Sequence, residues 1–422
     1  MKSYSVKEKL IARYISYIPF LKEPIKFLYS LIMYSLNKNK EKMKSYNKID
    51  RVYIGDNLES FGGYYDKYPQ NNCGLVLCHI SDHDTSKRPE SRYSIYVSVI
   101  DLKSNTLIWK NNTRAYNWQQ GARLQWLNNS LFAFNDFDIQ KMKFITRIID
   151  IDGFKEISSY NRPLQDSYKD EYFLSINYKR LFTLQPEYGY DNLGKMNKKE
   201  LKELNNDGIW KVDYKTKREE LLINFEKIVQ LEYKDLYFNS NHYINHVMIS
   251  PDGKNFIFIH RFLKKGKRYD RLICVDSESA EMKVLSDNEM VSHCCWINNN
   301  EIIGYLRGDN KIEGYWIINV YKNEKDIIKL FGGNTYGDGH PSTDGEKVIS
   351  DSYPDKGRNQ QLWYFNIDNG ENKEIGSFYH GFKYWGISRC DLHPRTFKEK
   401  EFIFFDSVFD GNRQMYYVKG PL

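Results

Sequence analysis

Four segments of the chain repeat one pattern at nearly constant spacing, and that spacing leaves few folds open. NHVMISPDGKNFIFIHR (245–261), SHCCWINNNEIIGYLR (292–307), GHPSTDGEKVISDSYPD (339–355) and WGISRCDLHPRTFKEKEFIFFDSVFDGNRQMYYV (385–418) each place a His shortly before a turn and an apolar strand. These residues, His246, His293, His340 and His393, stand 47, 47 and 53 positions apart. Several short strands per repeat of roughly 40–50 residues indicate a β-propeller. Weaker turn-then-strand units upstream bring the count to seven. The sequence therefore predicts an all-β, seven-bladed β-propeller whose innermost strands surround a channel, with the histidines of four repeats either facing one axis or each packed under its own blade turn. A strand at Arg51–Ile54 would complete the last blade and remove the free edges.

Further strands are expected at Gly74–His79, Tyr93–Asp101, Thr106–Trp109, Leu131–Asn135, Tyr172–Ser175, Phe402–Phe405 and Gln414–Val418, from apolar and aromatic runs bounded by turn residues. One stretch breaks the rhythm. Residues 191–220, DNLGKMNKKELKELNNDGIWKVDYKTKREE, are charged and partly helical in pattern, and read as a loop inserted into the third repeat. Such a loop is either a lid or a solvated excursion.

Residues 1–44 hold ten Lys or Arg against three Glu, a net of +7 that equals the charge of the whole chain. The propeller itself is neutral, and no nucleic-acid partner is expected. Within 1–48, IARYISYI (11–18) and IKFLYSLIMYSL (25–36) show amphipathic helical patterns, separated by Pro19 and Pro24 as helix breakers. Both are too short to span a bilayer. The division is thus a basic helical appendage at 1–48 and a propeller at 49–422. The appendage suits an anionic membrane surface, or else packs on the propeller's flank. No small-residue cleavage site follows an apolar core, so the expected location is cytoplasmic, peripheral at the inner membrane surface. The six cysteines form no CxxC pair and read as buried, reduced thiols.

Arg389, Asp391 and His393 alternate, so an extended segment would turn all three to one side. With His293, Asp391 and His393 supply imidazole and carboxylate donors for a divalent metal (manganese, otherwise zinc, iron or magnesium). His246 and His340 are candidates for proton transfer. Arg261, Arg389 and Arg123 are suited to an anionic group such as a uronate carboxylate. The pair Gly62–Gly63 permits a bend ahead of Tyr64, Tyr65, Asp66 and Lys67. In the second repeat Trp118, Gln119, Gln120 and Arg123 occupy the place the histidines hold later. Tyr64, Tyr65 and Trp118 either stack on sugar rings or pack between blades.

On these residues the last four repeats, roughly 240–418, resemble the oligogalacturonate lyases, seven-bladed propellers of the wider TolB-like group. The matching pieces are His246 before a strand ending in FIFIHR, SHCCW around His293, His340 before a strand with an Asp-rich end, and Asp-Leu-His-Pro at 391–394 followed by FFDS. Where that family has Gln and His ahead of its final His, Ser388 and Asp391 stand here. GGYYDK and YNWQQGARLQW resemble propeller proteins of bacterial surface-polysaccharide synthesis, some of them labelled glycosyl transferases. No βαβ alternation or Gly-rich phosphate loop accompanies that likeness. The resemblance implies an acidic poly- or oligosaccharide substrate and metal-assisted β-elimination. Metal at His293, Asp391 and His393, proton removal by His246 or His340, and charge stabilisation by Arg261 or Arg389 complete it. The alternatives are a glycosyl transferase using a lipid-linked acceptor and a non-catalytic glycan-binding propeller.

Overall fold

Blade four shows how the sequence builds the repeated unit. Asn255–Lys264 and Lys267–Asp276 are ten-residue strands in continuous antiparallel register. Lys265 and Gly266, with φ of 50° and 77°, join them in the doubly positive turn that suits strand twist. Asn241–Ile249 flanks this pair on the channel side and Met282–Ser286 on the outside. Buried residues run almost unbroken through Asn255–Phe262, as expected of a strand covered on both faces by neighbouring blades.

The computed structural model describes residues 19–39, 41–309, 311–322, 325–327 and 336–420. These form seven antiparallel sheets. Blades one to five are four-stranded and begin at Glu59, Gln125, Asp166, Asn241 and Val291. Blade six comprises Ser342–Thr343, Lys347–Asp351, Asn359–Asn366 and Asn372–Tyr379, with Met43–Ser45 added as a fifth, outer strand. In blade seven Phe402–Ser407 and Gln414–Lys419 are joined by Ile49–Arg51 from the start of the chain, and Arg395 bridges Phe404 on the channel side. The ring closes in the blade expected, a little upstream of 51–54. The other anticipated strands form, most of them one to four residues longer.

Antiparallel order sets both ends of the ring. In each blade the connection entering the innermost strand and the one between the second and third strands lie at the same end, here called the mouth. The insertion belongs there. It spans 176–207, between Tyr172–Ser175 and Gly208–Asp213, rather than 191–220. The charged tail 208–220, read as loop, belongs instead to the outer hairpin of blade three, Gly208–Asp213 and Glu219–Asn224: its charges sit on an exposed outer strand, where solvation overrides the polar pattern.

The N-terminal expectation needs correcting. Pro24 does not break the helix, which runs continuously from Pro19 to Asn37. Pro19 is its first residue, where no amide bond is lost, and Pro24 removes one hydrogen bond in the second turn. The pattern at 11–18 lies outside the described residues.

Candidate functional site

Local backbone distortions set the direction of three of the four histidines. The register of the innermost strand shifts between Asn245 and Met248 in blade four and between Val291 and Cys294 in blade five. A bulge of this kind turns one side chain out of the ladder, and His246 and His293 are the residues turned. His340 and His393 precede the innermost strands of blades six and seven. His393 has φ of 45°, so its place owes nothing to strand alternation, and Gly386–Ser388 just before it is a short 3-10 turn. The rings form a row, with centroids 5.1 Å apart from His246 to His293, 4.1 Å to His340 and 4.3 Å on to His393.

Tyr64 and Tyr65 pack against this row from blade one. The Tyr64 ring lies 5.0 Å from His393 and 5.3 Å from His246, and that of Tyr65 lies 5.4 Å from His340. The glycine pair makes the approach possible. A Cβ on Gly62 would meet the Arg395 guanidinium at 2.5 Å, and Gly63 has φ of 98°. Tyr64 Oη is 2.7 Å from His246 Nδ1, whereas Tyr65 Oη donates to the Cys294 carbonyl at 2.9 Å.

Hydrogen bonds decide which imidazole nitrogens are available. His393 Nδ1 donates to the Gly63 carbonyl at 3.0 Å; a carbonyl only accepts, so the proton is on Nδ1. His340 Nδ1 donates to Asp351, 2.9 and 3.0 Å from its two oxygens. The Nε2 atoms of both rings are buried and have no partner among the described residues. An imidazole held through one nitrogen by a carboxylate or carbonyl, with the other left bare, is how proteins present His to a metal. His340, Asp391 and His393 offer ligand atoms within 4.8 Å of one another. Two of the expected ligands, Asp391 and His393, are in this set; the third is His340, not His293. His293 instead faces Asp338, with Nδ1 3.4 Å from the carboxylate and 3.0 Å from Ser292 Oγ.

The electrostatics favour a cation. Asp391 is held by Arg389 through two 2.7 Å hydrogen bonds, and although burial opposes it, this pairing keeps its carboxyl well below the ordinary range. Among the described residues Asp338 and Asp351 have only imidazoles as ion-pair partners. Burial, followed by charge repulsion from neighbouring groups, lowers His246 and His393 well below their ordinary value and His293 to about 4. His340 moves the other way: burial works against its charge, but Asp351 outweighs it. A proton on His340 and a cation beside it are alternative ways of compensating the same carboxylates.

The remaining sequence candidates are partly drawn in. Arg389 lies at the mouth, its side chain a third exposed (33%), 4.8 Å over the Tyr353 ring. Gln119 donates to the Arg389 carbonyl at 2.9 Å, and neither amide atom of Gln120 has a partner among the described residues. Arg261 is buried against Asp270 at 3.0 Å, with Nε unpaired among those residues. Arg123 is committed to Asp66 at 3.0 and 2.7 Å, and Lys67 is paired with Asp166; together they tie blade one to blades two and three. Trp118 is buried beside Phe61, and its indole N–H is spent on the Lys87 carbonyl.

The insertion contributes a residue that the sequence did not single out. Asn177 caps a helix at Tyr178–Leu184, and a buried pair between Arg180 and Asp207, 2.5 Å apart, fastens its base. Gly189 lies so close to this helix that a Cβ would stand 2.1 Å from the Phe182 amide nitrogen. The chain then carries Tyr188 over the channel, 5.9 Å from both Tyr64 and His246, with its carbonyl held by Asn117. Asp338, Asp351 and Tyr353 also escaped notice. Asp351 and Tyr353 stand in SDSYPD, whose acidic turn was the available signal.

No protein-family model matches the sequence, and no curated protein matches it. Solved structures do. An oligogalacturonate lyase from Vibrio parahaemolyticus superposes with a TM-score of 0.59 over 90% of this chain and 96% of that one, at 11% identity. An oligogalacturonate lyase in complex with manganese gives 0.56 over 91% and 96%, at 12% identity. The resemblance carried by the repeat motifs is thus matched by the fold, and at this identity the likeness is one of fold.

Proposed function

We propose that the protein is a metal-assisted lyase of an acidic oligosaccharide, cleaving beside a uronate by β-elimination. The observation that carries this reading is the convergence of His340, Asp391 and His393 with two imidazole nitrogens left bare. Likeness to a lyase solved with manganese supports the choice of chemistry. His340, Asp391 and His393 would hold the cation. When bound, it would neutralise the uronate carboxylate and acidify the adjacent carbon's proton.

The chain's own groups supply the rest. Arg389, partly exposed at the mouth, is placed to bind the carboxylate as it enters. His246 is the base: the Tyr64 hydroxyl orients its ring, and burial, which lowers its basicity, keeps it neutral until the proton is transferred. The carbon's electron pair then forms the double bond as the glycosidic C–O bond breaks; the leaving oxygen takes a proton from water, and His246 returns its own to solvent. Tyr188 and Tyr353 screen the mouth from water. His340, the other candidate base, is assigned to the cation instead.

The test is to incubate purified protein with oligogalacturonate and manganese and follow the ultraviolet absorbance of an unsaturated uronate. Product formation that chelator abolishes and manganese restores is the expected result. Metal binding and oligogalacturonate binding without product would replace the lyase with a glycan-binding propeller.

A further inference from the structure

The helix Pro19–Asn37 has two apolar faces, and the propeller uses one. Phe27 meets Phe382 at 5.8 Å and Trp385 at 5.1 Å, ring to ring, while Tyr34 meets Phe382 at 5.4 Å and Tyr379 at 5.7 Å. Seven residues apart, Phe27 and Tyr34 lie on one side of the helix. The other side carries Ile25, Leu28, Ile32 and Leu36, exposed by 38, 59, 50 and 72%. No charged residue stands between Lys26 and Lys38. A helix apolar all round is at home inside a core or against lipid, not half in water.

Charge decides what covers the exposed face. Residues 1–44 carry the whole net +7 of the chain, Glu23 included, and the uncharged run ends at Lys26, whose ammonium lies 5.6 Å over the Trp385 ring, and at Lys38. An uncharged aliphatic stripe flanked by lysines complements an anionic bilayer, whose acyl boundary accepts Leu and Ile while its headgroups accept the ammonium groups. A second copy of the chain would bring the same positive charge to the same place. Among the described residues no helix is long and apolar enough to cross a membrane, so this one would lie in the interface.

Its docking point adds a direction. Phe382 and Trp385 belong to the connection that enters blade seven and leads on to Arg389, and the Asn37 carbonyl sits beside Gly357 in the second-to-third-strand connection of blade six. Both connections are at the mouth end. We propose that the helix 19–37 seats the protein on an anionic lipid surface through Ile25, Leu28, Ile32 and Leu36, with the mouth end of the propeller at the membrane.

Full-length protein is sedimented with vesicles of phosphatidylcholine, alone or mixed with phosphatidylserine. The wild type should pellet with the mixed vesicles only, and added salt should release it. Leu28→Glu/Ile32→Glu/Leu36→Glu should weaken binding by about tenfold or more while leaving the melting temperature and oligomeric state unchanged. Equal pelleting of the variant, or none by the wild type, overturns the proposal. So does a wild-type dimer that the variant dissociates without any lipid binding. A second measurement guards against poor folding of the triple variant. Ile32→Cys in a Cys73→Ser background, where the remaining cysteines are buried, is labelled with an environment-sensitive dye. Its emission should shift to the blue on the mixed vesicles. An unchanged spectrum means that the stripe is already covered, by residues 1–18 or otherwise, and refutes the proposal.

Discussion

At the residue scale, the two histidine roles predict opposite phenotypes. His393→Ala and His340→Ala each remove one of three converging donors, and water does not readily replace a ligand in so small a set. Both variants should lose bound manganese and activity together. His246→Ala should keep the metal and slow turnover by roughly 100- to 10,000-fold, as loss of an acid or base does. Metal content measured beside turnover checks all three; a His393→Ala protein that retains metal would remove the ligand assignment. Gly121 permits a test unconnected with chemistry. It has φ of 59°, and a Cβ there would lie 2.3 Å from the His79 ring. His79 cannot move away easily, because its Nε2 accepts the Ala122 amide at 3.0 Å. Gly121→Ala should therefore cost about 2 kcal/mol or more through strain and overpacking, read as a lower denaturant midpoint with the metal still bound.

Among the elements, the insertion 176–207 joins stability to access. Arg180 and Asp207 form a buried pair, and Arg180 also donates to the Leu201 and Glu203 carbonyls. Asp207→Asn leaves a buried guanidinium uncompensated, a loss of about 3–5 kcal/mol where burial is complete. Thermal melting should register that loss. Tyr188→Ala removes a buried ring, a loss of about 3 kcal/mol or more, but should leave the blades folded and able to bind metal. It should lower kcat/KM while leaving metal content unchanged, because it opens the screen beside His246. Unchanged kinetics would return the insertion to the status of a surface excursion.

For the whole molecule, ring closure and buried histidines set the response to truncation and acid. Removing residues 1–41 takes away the docked helix but spares the outer strands Met43–Ser45 and Ile49–Arg51, so the ring should remain closed. Removing 1–53 leaves blade seven with Phe402–Ser407, Gln414–Lys419 and the Arg395 bridge. Its outer edge is then unpaired. The shorter truncation should melt near the wild type, and the longer one far below it. Acid acts through His79, which burial lowers to about 3, and His242, which burial lowers to about 4, from an ordinary 6.5. Between those values the unfolded chain binds protons that the folded one refuses. Stability is thus full above about pH 6.5 and falls toward pH 4, by up to about 1.4 kcal/mol per group per pH unit. A melting temperature that stays level between about pH 6.5 and 4.5 would contradict this.

The division between sequence and structure follows from the range of the interactions. Blade number, strand positions and the four repeat histidines are written in local patterns: turn residues, apolar runs and a near-constant spacing. These are properties of neighbouring residues and survive without knowledge of the rest of the chain. The candidate site is not of that kind. His393 presents Nε2 because Gly63, 330 positions away in sequence, accepts its Nδ1 proton. His340 rather than His293 joins Asp391 because of how the last two blades meet at closure, and Trp118 and Arg123 prove to be blade contacts for the same reason. Tyr188 reaches His246 only because the insertion folds back over the mouth. Each of these outcomes depends on pairing residues far apart in the chain, and only the closed ring brings them together.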